Sequence, residues 1–324
     1  MNKNYICEEE NIRLDKFLSI CLNESRNQIE HLIKKGFVSV DNKPTVKTGL
    51  KLKFNQNIQV MLPQTKTAQA ANIDFDVPII YEDEDILVIN KPAGLIVHDA
   101  PSVSEPTLVD WLKHKNISLS TISGEERHGI VHRIDKGTSG VMVVAKNNHA
   151  HQELSAQLQD KTMGRYYLAI IDQPLKDDVI IDKPIGRNPN NRLAQAIVPN
   201  GRDAKTAFTK LLLSKNEKLE LIAAKLFTGR THQIRVHLNS FNRHILGDSL
   251  YGFKGNLDTL SNKRVCLHAY CLYMIHPTTK KQVNFIADIA ADMEQIFNQH
   301  FNTEEIHETI NQINIVNTFN RICK

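Results

Sequence analysis

What this chain lacks narrows its class. Its 324 residues include five cysteines, Cys7, Cys21, Cys266, Cys271 and Cys323, an odd number with no CxxC pair. Neither a disulfide framework nor a zinc ribbon is expected, and a reducing cytoplasm fits best. No apolar stretch approaches the roughly 18 residues of a membrane helix, and the start, MNKNYICEEE, is polar and acidic rather than signal-like. A dominant charge is missing too: 40 Lys and Arg against 36 Asp and Glu leave only +4, so the case for nucleic acid rests on where the basic residues fall. GxGxxG, GxxxxGK[ST] and GxSxG are all absent, which removes the usual phosphate cradles and the serine-hydrolase elbow. Read as strand residues, His232 and His237 point to opposite faces, and Cys266, His268 and Cys271 lack ligand spacing, so no metal site is expected. What remains, 41% hydrophobic and 23% charged, is a globular composition long enough for a large domain and a small one.

The small unit comes first. Leu14, Phe17, Leu18 and Cys21 make a helical stripe; Ser25 and Gln28 form a capping box for a second helix, with Ile29, Leu32 and Ile33 inward and a stop at Gly36. FVSV-DN-KPTV then alternates about Asp41-Asn42, which suits a tight hairpin. Arg13, Lys16, Arg26, Lys34 and Lys35 lie off the apolar stripes, as a solvated helix face or as a phosphate-binding face. The run RLDKFL…SR…LIKKGFVSV resembles the S4 RNA-binding domain over about residues 11–60, which implies that these five side chains meet structured RNA. Residues 1–63 are assigned to this domain and residues 64–76, beginning with the polar run QTKTAQAAN, to a linker.

Strand patterns dominate the rest. ILVINKPAGLIVH (86–98) reads as strand, turn, strand; GVMVVAK from Gly140 as a central strand; NNHAHQELSAQLQ as a helix; RYYLAII (165–171) as a strand. LELIAAKLFTGRTHQIRVHL (219–238) supplies two strand-like segments and HAYCLYMIHP (268–277) another, giving an α+β fold with a mixed, largely antiparallel sheet over residues 77–298. In residues 299–324, an extension of no assigned role, Ile306, Ile310 and Ile313 recur at helical spacing.

HGIVHRIDKGTSG (128–140) sets Asp135 between Arg133 and Lys136, beside His132. By pattern alone it fits a turn, with Asp135 accepting backbone N–H groups and Gly137 at positive φ, equally with an active site. HRIDKGTSGVMVVAKN resembles the HR[LI]DxxTSGxxxxAK signature of RluA/RluD-type RNA pseudouridine synthases. KPAGLIVH, RYYLAI, TGRTHQIRVHL with GD and YG at 247–252, and HAYCLYMIHP match that family's other blocks in order.

The resemblance implies an enzyme that isomerises uridine to pseudouridine without cofactor or metal. Asp135 is then the catalytic carboxylate, by attack on C1′ or by removal of the 2′-proton; Arg235 is its partner, and Tyr167 stacks on the base. Arg133 fills the space left by a flipped base, and His132, Arg230 and His232 contact RNA. The expected partner is large-subunit ribosomal RNA or its precursor particle, met by a monomer away from membranes. Transfer RNA, or a catalytically silent S4-domain assembly factor, is the alternative.

Overall fold

The computed structural model describes residues 2–22, 26–61, 73–98, 105–120, 129–255 and 264–322. Two compact units divide it, Met1–Ala71 and Asn72–Lys324. The capping box at Ser25 and linker residues 64–72 lie outside the described residues.

The first unit runs β1 (Asn2–Ile6), α1 (Leu14–Leu22), α2 (Arg26–Lys34), β2 (Val38–Val40), β3 (Lys43–Pro44) and β4 (Asn57–Met61), with an antiparallel sheet ordered β1-β4-β2-β3. Leu14, Leu18, Ile29 and Ile33 from the helices pack against Ile58 and Val60 of the sheet, all fully buried. Gly36 ends α2 at φ 77, donating its N–H to Ile33 O, and Asp41 and Asn42 take φ 47 and 63 in the hairpin. Strand β1 is an addition to the expected helix-helix-hairpin. It is an edge strand held by its ladder to β4, with Tyr5 only partly buried, so its sequence shows little apolar alternation.

The second unit runs β5 (Ile79–Glu82), β6 (Ile86–Lys91), α3 (Leu108–His114), β7 (Ser139–Ala145), α4 (Asn148–Asp160), β8 (Gly164–Asp172), β9 (Val179–Asp182), β10 (Ile185–Arg187), β11 (Gln195–Ile197), β12 (Lys205–Leu213), β13 (Leu219–Leu226), α5 (Gln233–Asn239), β14 (Leu267–Ile275), β15 (Gln282–Ile286), α6 (Ala291–His300), α7 (Thr303–Thr309) and α8 (Gln312–Ile322). One sheet is ordered β5-β6-β7-β14-β8-β13-β12-β9, with β15 beside β14. Among the described residues only β7 and β14 pair in parallel, so the expected α+β class with a mixed, largely antiparallel sheet is what the chain adopts. β7 is buried along its whole length, as its unbroken apolar run requires of a central strand. At Gly140, φ 115, a side chain would overlap the Ala269 carbonyl, so glycine permits the close approach of β7 to β14.

Two expectations need correction. LIVH (95–98) is not a strand: Ile96 O and Val97 O accept from Leu108 N and Val109 N in the first turn of α3, while Leu95 O accepts from Lys91 Nζ. HQIRVHL is helix α5, not strand, so the faces read from period two do not exist there. Ile234, Val236 and Leu238 alternate with Gln233, Arg235 and His237 because this helix is buried all round, which erases the amphipathic stripe. Residues 303–322, given no role from sequence, pack on the second unit. Ile306, Ile315 and Phe319 join the main core, with Phe319 5.3 Å from the Tyr166 ring, whereas Ile313 is 72% exposed because the helix breaks between α7 and α8.

Candidate active site

The segment ahead of Asp135 extends the sheet. Where β14 leaves β7, residues 129–132 take its place: Ala145 N donates to Gly129 O, Ile130 bridges Val144, and Val143 N donates to His132 Nε2. The chain then turns into β7, closed by Thr138 N donating to the Asp135 carbonyl at 3.0 Å. The main chain of this turn is clamped from two sides. Lys136 O accepts from Gly94 N at 2.7 Å and Lys91 Nζ at 3.5 Å, and Arg264 donates to Gly137 O at 2.9 Å and Ser139 Oγ at 2.8 Å. Lys91 and Arg264 are both buried; burial, reinforced by the nearby Arg264 charge, lowers the Lys91 pKa to about 7.

Because the turn uses the backbone carbonyl of Asp135, its carboxylate is left for another partner. That partner is Arg235 on α5, with Nη1 3.3 Å from Asp135 Oδ2. Arg235 is itself fixed by Asp248, through Nε at 2.7 Å and Nη2 at 2.8 Å, and its guanidinium lies 4.8 Å from the centre of the Tyr251 ring. Burial works most strongly against its charge, but the bonds to Asp248 together with the charges of Asp248 and Asp135 outweigh burial and raise its pKa. His232 caps α5 in the left-handed region (φ 57), with Nδ1 2.8 Å from Tyr251 Oη and Nε2 3.8 Å from Asp135. Burial lowers its pKa, so the ring is neutral near pH 7 and faces Asp135 as a polar group rather than a cation.

The polar side of α5 is satisfied inside the protein. Gln233 accepts from Thr228 Oγ1 and Arg230 N, and donates to Lys205 O and Thr206 Oγ1; His237 contacts Thr206 Oγ1 at 2.9 Å and Lys183 O at 3.1 Å. Tyr167 and Arg165, two apart on β8, share a strand face with the same cleft of about 90 Å³ that Asp135, His232 and Arg235 line. Tyr167 is 4% exposed, and burial raises its phenol pKa. Elsewhere, Asp83, Asp85 and His276 come together, but the turn between β5 and β6 uses them. Asp83 accepts from Asp85 N and Ile86 N and meets His276 Nε2, while His276 Nδ1 accepts from Thr278 N and Thr279 N.

Comparison with known proteins decides the family. An "uncharacterized RNA pseudouridine synthase" of Helicobacter pylori is 44% identical over 326 residues, covering 98% of this chain and 99% of that one. This chain is an RNA pseudouridine synthase. The family model described as RNA pseudouridylate synthase matches residues 85–240, and the S4 domain model matches residues 12–58. A "ribosomal large subunit pseudouridine synthase D" of Zymomonas mobilis is 39% identical over 293 residues, covering 88% of this synthase and 92% of that chain. Among solved structures, Human RNA Pseudouridylate Synthase Domain Containing 4 shares the fold at a TM-score of 0.53 and 24% identity, over 68% of this chain and 92% of its own.

Within this synthase, Asp135, Tyr167, Arg235, Arg230 and His232 meet at one cleft, with Arg133 on its exposed rim. Arg133 Nη1 lies 3.3 Å from His98 Nε2, and Arg230 Nε donates to Asp203 O. His132 is 8% exposed, its ring lies against β7, where Nε2 accepts from Val143 N, and burial lowers its pKa to about 3. The positive φ expected at Gly137 falls at Gly140, and Lys136 turns away to pair with Glu105 at 2.7 Å. On the S4 domain Arg13, Lys16, Arg26, Lys34 and Lys35 are all exposed; Arg13 and Arg26 converge on buried Asp15, and Lys34 pairs with Glu30. Sequence reasoning assigned no role to Asp248, Tyr251, Arg165, Lys91 or Arg264. The first four stand inside the GD, YG, RYY and KPAG blocks, where the signal was present; Arg264 stands outside every block.

Proposed function

We propose that this synthase converts specific uridines of large-subunit ribosomal RNA to pseudouridine, with Asp135 as the catalytic carboxylate. The observation that carries this reading is the Asp135 side chain, unused by its own turn and held by an arginine that Asp248 keeps in place. A carboxylate so oriented can attack C1′ or take the 2′-proton, and either route releases the base for rejoining through C5. Tyr167 lies on the cleft wall where a flipped uracil would stack, and its raised pKa keeps it an O–H near neutral pH, able to pass a proton at C5. Arg133 on the rim would occupy the vacated stack. The S4 face of Arg13, Lys16, Arg26, Lys34 and Lys35 would hold phosphates of the same RNA, with residues 1–63 as the binding domain and 77–298 as the catalytic one. The large-subunit assignment draws on the relative of that name and on the S4 domain.

The test is Asp135→Asn, assayed by tritium release from C5-labelled uridine in ribosomal and transfer RNA. The wild type should release label from large-subunit RNA. The variant, folded by circular dichroism and still binding RNA, should lose several factors of ten in rate, each worth about 1.4 kcal/mol of transition-state stabilisation. Turnover by the folded variant would end the mechanism, release from transfer RNA alone would move the substrate, and no release by wild type would leave an RNA-binding assembly factor.

A further inference from the structure

Arg165 is a buried cation in the wall of the same cleft. It is 7% exposed, its Nε is buried without a hydrogen-bond partner, and among the described residues it joins no ion pair. The two carboxylates nearest the reaction, Asp135 and Asp248, are both bonded to Arg235 instead. Space is kept for the guanidinium: a Cβ at Gly229 would stand 3.1 Å from Arg165 Nη2. Its field reaches Tyr167, whose phenol it makes easier to ionise against the larger effect of burial. An ion left unpaired in a buried site is costly, so a counter-charge supplied by the substrate would relieve that cost.

A bound uracil is neutral, and becomes an anion only when its bond to the sugar breaks. Resting on the pseudouridine synthase reading above, we infer that Arg165 is a catalytic residue whose guanidinium holds the departing uracil anion through its carbonyl oxygens. The C1′–N1 bond breaks and its electron pair leaves with the base, spread over N1, C5 and the two carbonyl oxygens. C1′ bonds to an Asp135 oxygen, or C2′ yields a proton to Asp135 to give a glycal. After the base turns, the C5 pair forms the C1′–C5 bond while Asp135 leaves with its electrons, or returns its proton to C2′. The C5 proton is then removed and N1 takes one up, restoring a neutral base. The anion exists on both routes, so a cation that meets charge only after cleavage stabilises the transition state more than the bound substrate.

The experiment compares matched RNAs carrying uridine or 5-fluorouridine at the target, with loss of the starting nucleoside followed by mass spectrometry in single turnover. Fluorine makes uracil more acidic, so its anion departs with less help. Arg165→Met should slow the uridine reaction by about 10²–10³, the loss typical of removing one charge-stabilising donor, with RNA affinity little changed. On 5-fluorouridine the defect should shrink markedly, and Arg165→Lys should recover much of the rate. A residue acting only through structure would slow both RNAs alike, so equal defects, or wild-type rates in Arg165→Met, would overturn the inference. If Arg165→Met fails to fold, Arg165→Lys carries the same two-substrate comparison. Inactivity of the wild type on both RNAs would instead overturn the reading on which the inference rests.

Discussion

Asp248 makes two bonds to Arg235 while Asp135 makes one, longer, bond, so the arginine's position is set from behind and its Nη1 is offered to the Asp135 carboxylate. Asp248→Asn keeps the shape but removes the charge that offsets a buried guanidinium. Breaking such a pair costs about 3–5 kcal/mol, so urea unfolding should report a loss of that order. Single-turnover rate should fall as well, because Arg235 would swing toward the carboxylate left to it. Unchanged stability and rate would mean that Tyr251 and the walls of the cleft hold Arg235 unaided.

Helix α5 depends on Gln233, whose amide is the partner of four groups from Lys205, Thr206, Thr228 and Arg230. Gln233→Leu leaves these unsatisfied in a buried site at about 1–3 kcal/mol each, so the protein should lose several kcal/mol in urea unfolding. Turnover should drop with it, since α5 carries Arg235. In the S4 domain, the bonds from Arg13 hold the Asp15 pKa down at about 2 from the ordinary 3.8, against burial and with help from Arg26. A carboxyl whose folded pKa is depressed contributes stability above its unfolded pKa and loses that contribution as pH falls through the folded one. Residues 1–71 prepared alone should therefore weaken as pH drops from about 4 toward 2, and Asp15→Asn should be weaker at neutral pH with a flatter acid limb. Chemical unfolding across that range checks both.

At the scale of the whole molecule, each unit has its own core, so residues 72–324 should fold without the first unit. If the exposed basic residues of the S4 domain hold phosphates, removing residues 1–71 should weaken RNA binding and flatten its dependence on salt, by about 0.7 log unit per lost contact on single strands. The remaining unit should still modify a good substrate slowly. Full affinity with an unchanged salt slope would make the basic face a solvated surface and nothing more. The C-terminal helices belong to this scale too: Phe319 packs on Tyr166 of β8, so trimming them should destabilise the sheet that carries Tyr167.

Sequence by itself determined the features that depend on a few neighbouring residues: the Asp41-Asn42 hairpin, the glycine end of α2, the buried run of β7, and the ordered blocks that carry Asp135, Tyr167 and Arg235. Turn geometry and burial leave local marks, and both units were legible from them. Helix α5 was not, because a helix buried on every side has no polar face, and its alternation of apolar and hydrogen-bonded residues imitates a strand. The resemblance implied Arg235 as the partner of Asp135; only the tertiary structure decided that Arg235 is itself fixed by Asp248 and that the turn of Asp135 is clamped by Arg264, 127 residues from Gly137. The charges beside Asp135 in the chain find other partners, Arg133 meeting His98 on the rim of the cleft and Lys136 pairing with Glu105, since a tight turn projects adjacent side chains apart while the sheet brings distant ones together.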